Sequence, residues 1–221
     1  AKLRATVAPP DAPVVLYTGR LHPQKGITAI FAAAERVLAR RPDTRFLLAG
    51  GTDSRESTQM VHDLSRRYAH LLPRVKLLGK LPRQQLGLLH RISDVALVPS
   101  LYEPFGYTAI EAMSSGLPLV ATRAGGPEEI VAHGETGLLV PVHPTSQGEL
   151  REVDVEAFAA AQLSLLEDRE RARRMGEAGQ RRVLELFTVE KMVADNLALY
   201  QRLLEAPGAS VSTPVHQEAA S

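Results

Sequence analysis

Six short apolar runs mark the first two thirds of the chain, and stretches with helical spacing lie between them. The runs occupy residues 14–19, 45–51, 75–79, 94–100, 117–122 and 137–141. Apart from charged or polar edge positions they are continuously apolar rather than alternating. That pattern predicts strands buried on both faces of a parallel sheet. Between the first two runs, Ile27, Ile30, Phe31, Ala34, Val37 and Leu38 fall on one stripe of a 3.6-residue helix. Residues 54–71, 84–92, 107–115 and 127–133 also read as helical. The alternation predicts an α/β fold, a doubly wound, six-stranded, Rossmann-like parallel sheet with right-handed crossovers. Ligands of such sheets sit beyond the carboxyl ends of the strands.

After residue 141 the pattern changes. A polar stretch at 143–152 leads into helices at about 153–167, 169–186 and 189–205. The last of these carries Val189, Met192, Val193, Leu197, Tyr200 and Leu204 along one apolar face. Residues 1–12 read as a linker from a preceding domain rather than as an element. Residues 13–186 read as one Rossmann-like domain, 187–205 as a C-terminal helix that would pack towards the preceding domain, and 206–221 as a tail with the composition of disorder.

Composition narrows the function classes. With 221 residues the chain can bury a sizeable core without staples. It has no cysteine, which excludes thiol catalysis, disulfides and thiolate metal sites. That agrees with a cytoplasmic location, as does the lack of any apolar run of membrane-spanning length. Lys and Arg total 26 against 25 Asp and Glu, so no nucleic-acid surface is expected. The seven histidines show no metal-ligand spacing, and His22 reads as a solvated loop residue.

Four features converge on the strand ends. Residues 18–26, T-G-R-L-H-P-Q-K-G, close the first strand and open the first helix. Lys25 there would face the positive helix end, where a cation is disfavoured unless an anion shares the place. With Arg20 it could hold a diphosphate; alternatively, Arg20 pairs with a nearby carboxylate and Lys25 is solvated. Residues 102–111, Y-E-P-F-G-Y-T-A-I-E, follow the fourth strand. Pro104 and Gly106 break the chain, and the next helix offers free amides at Gly106, Tyr107 and Thr108 to a phosphate or a sugar hydroxyl. Glu103 before the turn and Glu111 in the helix could hold different parts of one elongated ligand; alternatively, Glu103 is a loop carboxylate and Glu111 a buried salt-bridge member. Residues 124–130, A-G-G-P-E-E-I, place Gly125 and Gly126 where they would permit close approach to a ligand. Glu128 reads as a helix-start residue and Glu129 stays open. Residues 49–53 and 77–81 end their strands at the same edge.

In this order, R-x4-K-G, E-P-F-G-x4-E, S-G-L-P-L-V-A-T, A-G-G-P-E-E-I-V and G-E-T-G-L-L-V-P resemble the C-terminal domain of GT-B glycosyltransferases of family four, relatives of the glycogen and sucrose-phosphate synthases. The resemblance runs from about Val14 to Pro141. It implies that Gly19, Arg20 and Lys25 line the donor diphosphate, with Arg20, Lys25 and Glu103 closest to the chemistry. It gives Glu111 the ribose, Glu103 the hydroxyls of the transferred sugar, and the amides of Phe105, Gly106, Tyr107 and Thr108 the sugar and phosphates. The backbone near Leu81 would read the base. The implied partner is a nucleoside diphosphate sugar, with retention of anomeric configuration, no metal and no cofactor. An N-terminal domain holding the acceptor is expected besides these residues, and the exposed last helix is expected to promote self-association. A nucleotide-sugar-sensing module without turnover is the competing reading. An epimerase or phosphorylase on this scaffold is a third, and the cofactor lysine expected of a phosphorylase is not found.

Overall fold

The computed structural model describes residues 2–145 and 151–205. Contacts divide the chain into one compact unit at 1–184 and a second at 185–221. That boundary falls in the last turn of the helix Arg169–Leu186, whose end is the break expected at 186/187.

Six strands form the sheet of the first unit: β1 (Val14–Thr18), β2 (Arg45–Ala49), β3 (Val75–Gly79), β4 (Val95–Val98), β5 (Leu119–Thr122) and β6 (Leu138–Val140). All pair in parallel, in the order β3-β2-β1-β4-β5-β6. Every residue of β1, β4, β5 and β6 is buried, as the unbroken apolar runs demand. Helices α2 (Ile27–Arg40), α3 (Arg55–Arg67), α4 (Arg83–Ile92), α5 (Tyr107–Ser114) and α6 (Gly126–Ile130) fill the connections. The stripe on α2 is real: Ile27, Ile30, Phe31, Ala34 and Val37 are fully buried in the main core. Beyond the sheet follow α7 (Val155–Glu167) and α8 (Arg169–Leu186).

Two expectations fail. Residues 1–12 are not a structureless linker, because Lys2–Val7 is a helix, α1. Six residues have little helical stability of their own. Arg4 fixes α1 by pairing with Asp94 at 2.8 Å and by donating to the carbonyls of Ala12 and Ile92. The polar stretch after residue 141 contains a small antiparallel sheet of β7 (Val142–Pro144) and β8 (Arg151–Val153). Its residues are too few and too polar to show an alternating pattern, and cross-strand pairing defines them.

In the second unit, α9 (Val189–Glu205) exposes Val189, Met192, Val193, Leu197, Tyr200 and Leu204. Among the described residues no helix is long and apolar enough to cross a membrane. The tail at 206–221 lies outside the described residues.

Candidate active site at the switch between β1 and β4

The chain winds outward from β1 in two directions, to β2 and β3 on one side and to β4, β5 and β6 on the other. The loops leaving β1 and β4 therefore diverge and open a crevice at their carboxyl ends, where ligands of doubly wound sheets bind. From the β1 side the chain passes Gly19 and Arg20 into a 3-10 turn at Pro23–Lys25 and then Gly26. From the β4 side come Ser100, Glu103 and the turn into α5.

The pair that spans the crevice is Lys25 and Glu103. Lys25 Nζ lies 2.6 Å from Glu103 Oε2, and the two side chains are only 20% and 13% exposed. Ser100 Oγ donates to the same carboxylate oxygen at 3.4 Å. The close approach needs Gly26. At φ 68° it caps α2, and a Cβ there would sit 1.9 Å from Pro99 O at the end of β4. A backbone bond from Leu101 N to Gln24 O, 2.8 Å, closes the same gap. His22 is not merely solvated: half-buried, its Nδ1 accepts from Gln24 N at 3.2 Å and caps the turn that carries Lys25.

Arg20 is the more exposed cation. Its guanidinium is 61% exposed and lies 2.5 Å from Asp53 in the loop after β2. That hydrogen bond, followed by one from Ser57, holds the Asp53 carboxyl below its usual range. Exposed pairs of this kind contribute little to stability. Beneath Arg20 the buried Tyr17 hydroxyl donates to Arg20 O at 2.6 Å and so orients the turn. Burial pushes the Tyr17 phenol upward, the Glu103 charge adds to this, and Arg20 opposes it. Both charged groups are thus felt at one buried point.

On the β4 side, Gly106 adopts φ 111° and caps α5 without a side-chain bond. The amides of Phe105, Gly106, Tyr107 and Thr108 have no partner among the described residues. They form a row of donors at a helix start, suited to phosphate or hydroxyl oxygens. Gly125 and Gly126 admit the backbone of this turn. A Cβ on Gly125 would meet Glu103 O at 2.6 Å, and one on Gly126 would meet Phe105 O at 1.8 Å. Glu103 N donates to Ala124 O and Gly126 N to Glu103 O, so the two loops are tied together. Glu128 caps its own helix through Gly125 N at 3.5 Å, as a helix-start acid should, and Glu129 is exposed.

Glu111 lies apart from the Lys25–Glu103 pair. Its carboxylate is 3.8 Å from the Arg83 guanidinium. It lines a recess of about 230 Å³ with Arg83, Leu86, Gly87 and His90. Leu81 precedes α4 by two residues and is half-buried. The structure brings Lys25, Glu103 and the α5 amides to one crevice, and Glu111 to a neighbouring recess. Tyr17, Asp53 and Arg83 were missed by sequence reasoning. Tyr17 reads only as a strand residue, and the two charged partners stand 33 and 28 residues from the groups they meet (Arg20–Asp53, Arg83–Glu111). Among the described residues no group of three His, Asp or Glu side chains is placed to hold a metal.

The family described as "Glycosyl transferases group 1" matches residues 2–182. The chain belongs to the group 1 glycosyl transferases. The D-inositol 3-phosphate glycosyltransferase of Corynebacterium glutamicum is 36% identical over 166 residues, which cover 74% of this chain and 37% of that protein. Among solved structures, the sucrose-phosphate synthase of Thermosynechococcus elongatus superposes with a TM-score of 0.75 at 36% identity, over 91% of this chain and 48% of that one. The HepE protein of Anabaena, crystallised in complex with UDP-glucose, gives 0.74 at 26% identity, over 90% of this chain and 52% of that one. This group 1 chain thus spans about half the length of these three relatives, or less. The six-stranded, Rossmann-like parallel sheet expected from sequence is the one it has, and it matches that of these neighbours.

Proposed function

We propose that this chain is the donor-binding half of a retaining glycosyltransferase, which moves a sugar from a nucleoside diphosphate sugar to an acceptor held by a further domain. The observation that carries the reading is the Lys25–Glu103 pair across the β1/β4 crevice, beside the four unpartnered amides of the α5 turn. The likeness to HepE in complex with UDP-glucose supports the ligand class.

In this reading the donor diphosphate enters at the α5 amides and draws Lys25 away from Glu103. Arg20 leaves Asp53 to join it. The two cations and a helix start then stabilise the charge that develops on the departing nucleoside diphosphate, an electrostatic role that needs no metal. Glu103, released from Lys25, accepts hydroxyls of the transferred sugar, while Glu111 takes the ribose and the backbone at Leu81 the base. Tyr17 keeps the Gly19–Arg20 turn in place. Transfer itself requires the acceptor-holding domain.

Calorimetry with UDP, GDP, ADP and TDP tests the site. At least one should bind equally well with and without a chelator, and a strict magnesium requirement would count against the two cations as the neutralising charge. Lys25→Ala should weaken the nucleoside diphosphate about tenfold or more, as befits a lost charge-assisted bond. The free nucleoside, lacking the charge, should bind unchanged.

The exposed apolar face of α9 is a second expected contact surface. Light scattering across a concentration series should show self-association of this chain. Polar replacements at Leu197 and Leu204 should suppress it, and a monomer at all concentrations would overturn the idea.

A further inference from the structure

His90, in the last turn of α4, is a buried polar side chain that the donor site does not use. It is 5% exposed, and its Nε2 has no partner among the described residues. Burial holds the imidazole below the ordinary histidine range, so the ring is neutral at pH 7 and above. A ring nitrogen left unpaired in the interior is unfavourable and calls for a partner. His90 borders two hollows. One is the Glu111 recess. The other, about 250 Å³, lies at the opposite edge of the sheet, where Pro13, Asp94 and Pro118 lead into β1, β4 and β5.

The groups around this second cavity decide what it can hold. Leu117, Pro118, Leu165 and Leu166 supply apolar wall, and Arg91, Arg169 and Arg173 supply charge. Arg173 is matched by Glu170 and Glu177. Asp94, the carboxylate of the lining, is matched by Arg4 and the Val14 amide. Arg91 is exposed and has no carboxylate partner among the described residues. Arg169 donates only to a carbonyl, Asp11 O, at 2.9 Å. The carbonyls that end α4 are occupied, Leu89 O by Ser93 Oγ, His90 O by Ser93 N and Ile92 O by Arg4. Two guanidinium groups are thus left to spare beside an apolar wall. Such forks fit phosphate oxygens two at a time. The volume falls below the usual range of ligand pockets and admits only a small body. We propose that this cavity is a second ligand site, for a small organic phosphate. Arg91 and Arg169 hold the phosphate, the leucines and Pro118 the organic part, and His90 Nε2 gains a polar partner. The site lies apart from the crevice and stands whether or not the crevice binds a donor.

The test titrates phenyl phosphate into the isotope-labelled chain with UDP at saturation, because phosphate is also drawn to Arg20 and Lys25. Amide and histidine-ring signals are followed by NMR, with benzoate and inorganic phosphate as companion probes. Phenyl phosphate should bind saturably and shift the signals of His90, Arg91, Leu117 and Arg169. Benzoate, which lacks the phosphate, and inorganic phosphate, which lacks the apolar body, should both bind more weakly. Arg91→Gln should weaken phenyl phosphate roughly tenfold, the loss of a charge-assisted bond, and leave UDP affinity unchanged. Arg169→Gln should act likewise. It also loses the Asp11 contact, so thermal melts check its fold, and Arg91→Gln carries the test alone if that variant does not fold. Shifts spread over the surface arginines without saturation, or phenyl phosphate bound equally well by Arg91→Gln, would overturn the site. Benzoate bound as tightly as phenyl phosphate would overturn the phosphate class. Absence of UDP binding to the parent chain would instead sink the donor reading, and the same titration of Lys25→Ala without UDP would then judge the cavity alone.

Discussion

Converting Glu103 and Glu111 to glutamine is expected to break recognition in two different ways. Glu111 lies in the Arg83 recess, away from the crevice pair, so its loss should weaken a nucleoside diphosphate and its sugar conjugate alike. Glu103 touches Lys25 when no donor is bound. Glu103→Gln removes the competitor for that ammonium, so the nucleoside diphosphate should bind as well as before or slightly more tightly. Only the conjugate should suffer. Each lost charge-assisted bond is worth roughly 1.5–3 kcal/mol, about ten- to a hundredfold in affinity. Glutamine retains one acceptor oxygen and the shape of the side chain, so the lower figure is the expected one. A two-by-two titration of both variants against UDP and UDP-glucose reads the contrast. Equal losses for the two ligands in both variants would mean that the acids are structural.

Gly126→Ala should be a strongly damaging small substitution in the site. The added methyl would lie 1.8 Å from Phe105 O, a backbone atom that can retreat only by moving the whole turn. Overpacking of this sort costs about 1–3 kcal/mol and occasionally more. In a chain of this size that lowers the melting temperature by roughly 2–4 °C per kcal/mol. The displaced turn carries Glu103 and the free amides, so affinity for the nucleoside diphosphate should fall in parallel. Gly87→Ala is the matched comparison. Gly87 lies inside α4, nothing would meet its new Cβ within 4 Å, and the helix gains propensity. That variant should be about 1 kcal/mol more stable than the parent. Thermal melts of the two variants side by side test the claim, and similar shifts would refute the loop-contact role of Gly126.

These expectations draw on two kinds of information. Along the chain, burial on both faces writes itself as unbroken apolar runs, so β1, β4, β5 and β6 and the stripe on α2 were readable residue by residue. The R-x4-K-G and E-P-F-G-x4-E motifs pointed to Arg20, Lys25, Glu103 and Glu111, and the ordered motifs pointed to the family that residues 2–182 match. Sequence could not pair them. Lys25 meets Glu103 across 78 residues because β1 and β4 are neighbours in the sheet, and strand order is a long-range property. For the same reason the contact of Gly125 and Gly126 with the E-P-F-G turn was not legible in the sequence. His22 looked solvated until the turn it caps was in place. Helix α1 was invisible because six residues lack a periodic face of their own, and Arg4 secures them on Asp94, 90 residues away. Local pattern records how deeply each residue is buried. Which distant residues it meets is set by the order in which the strands pack, and that order was legible only in the folded sheet.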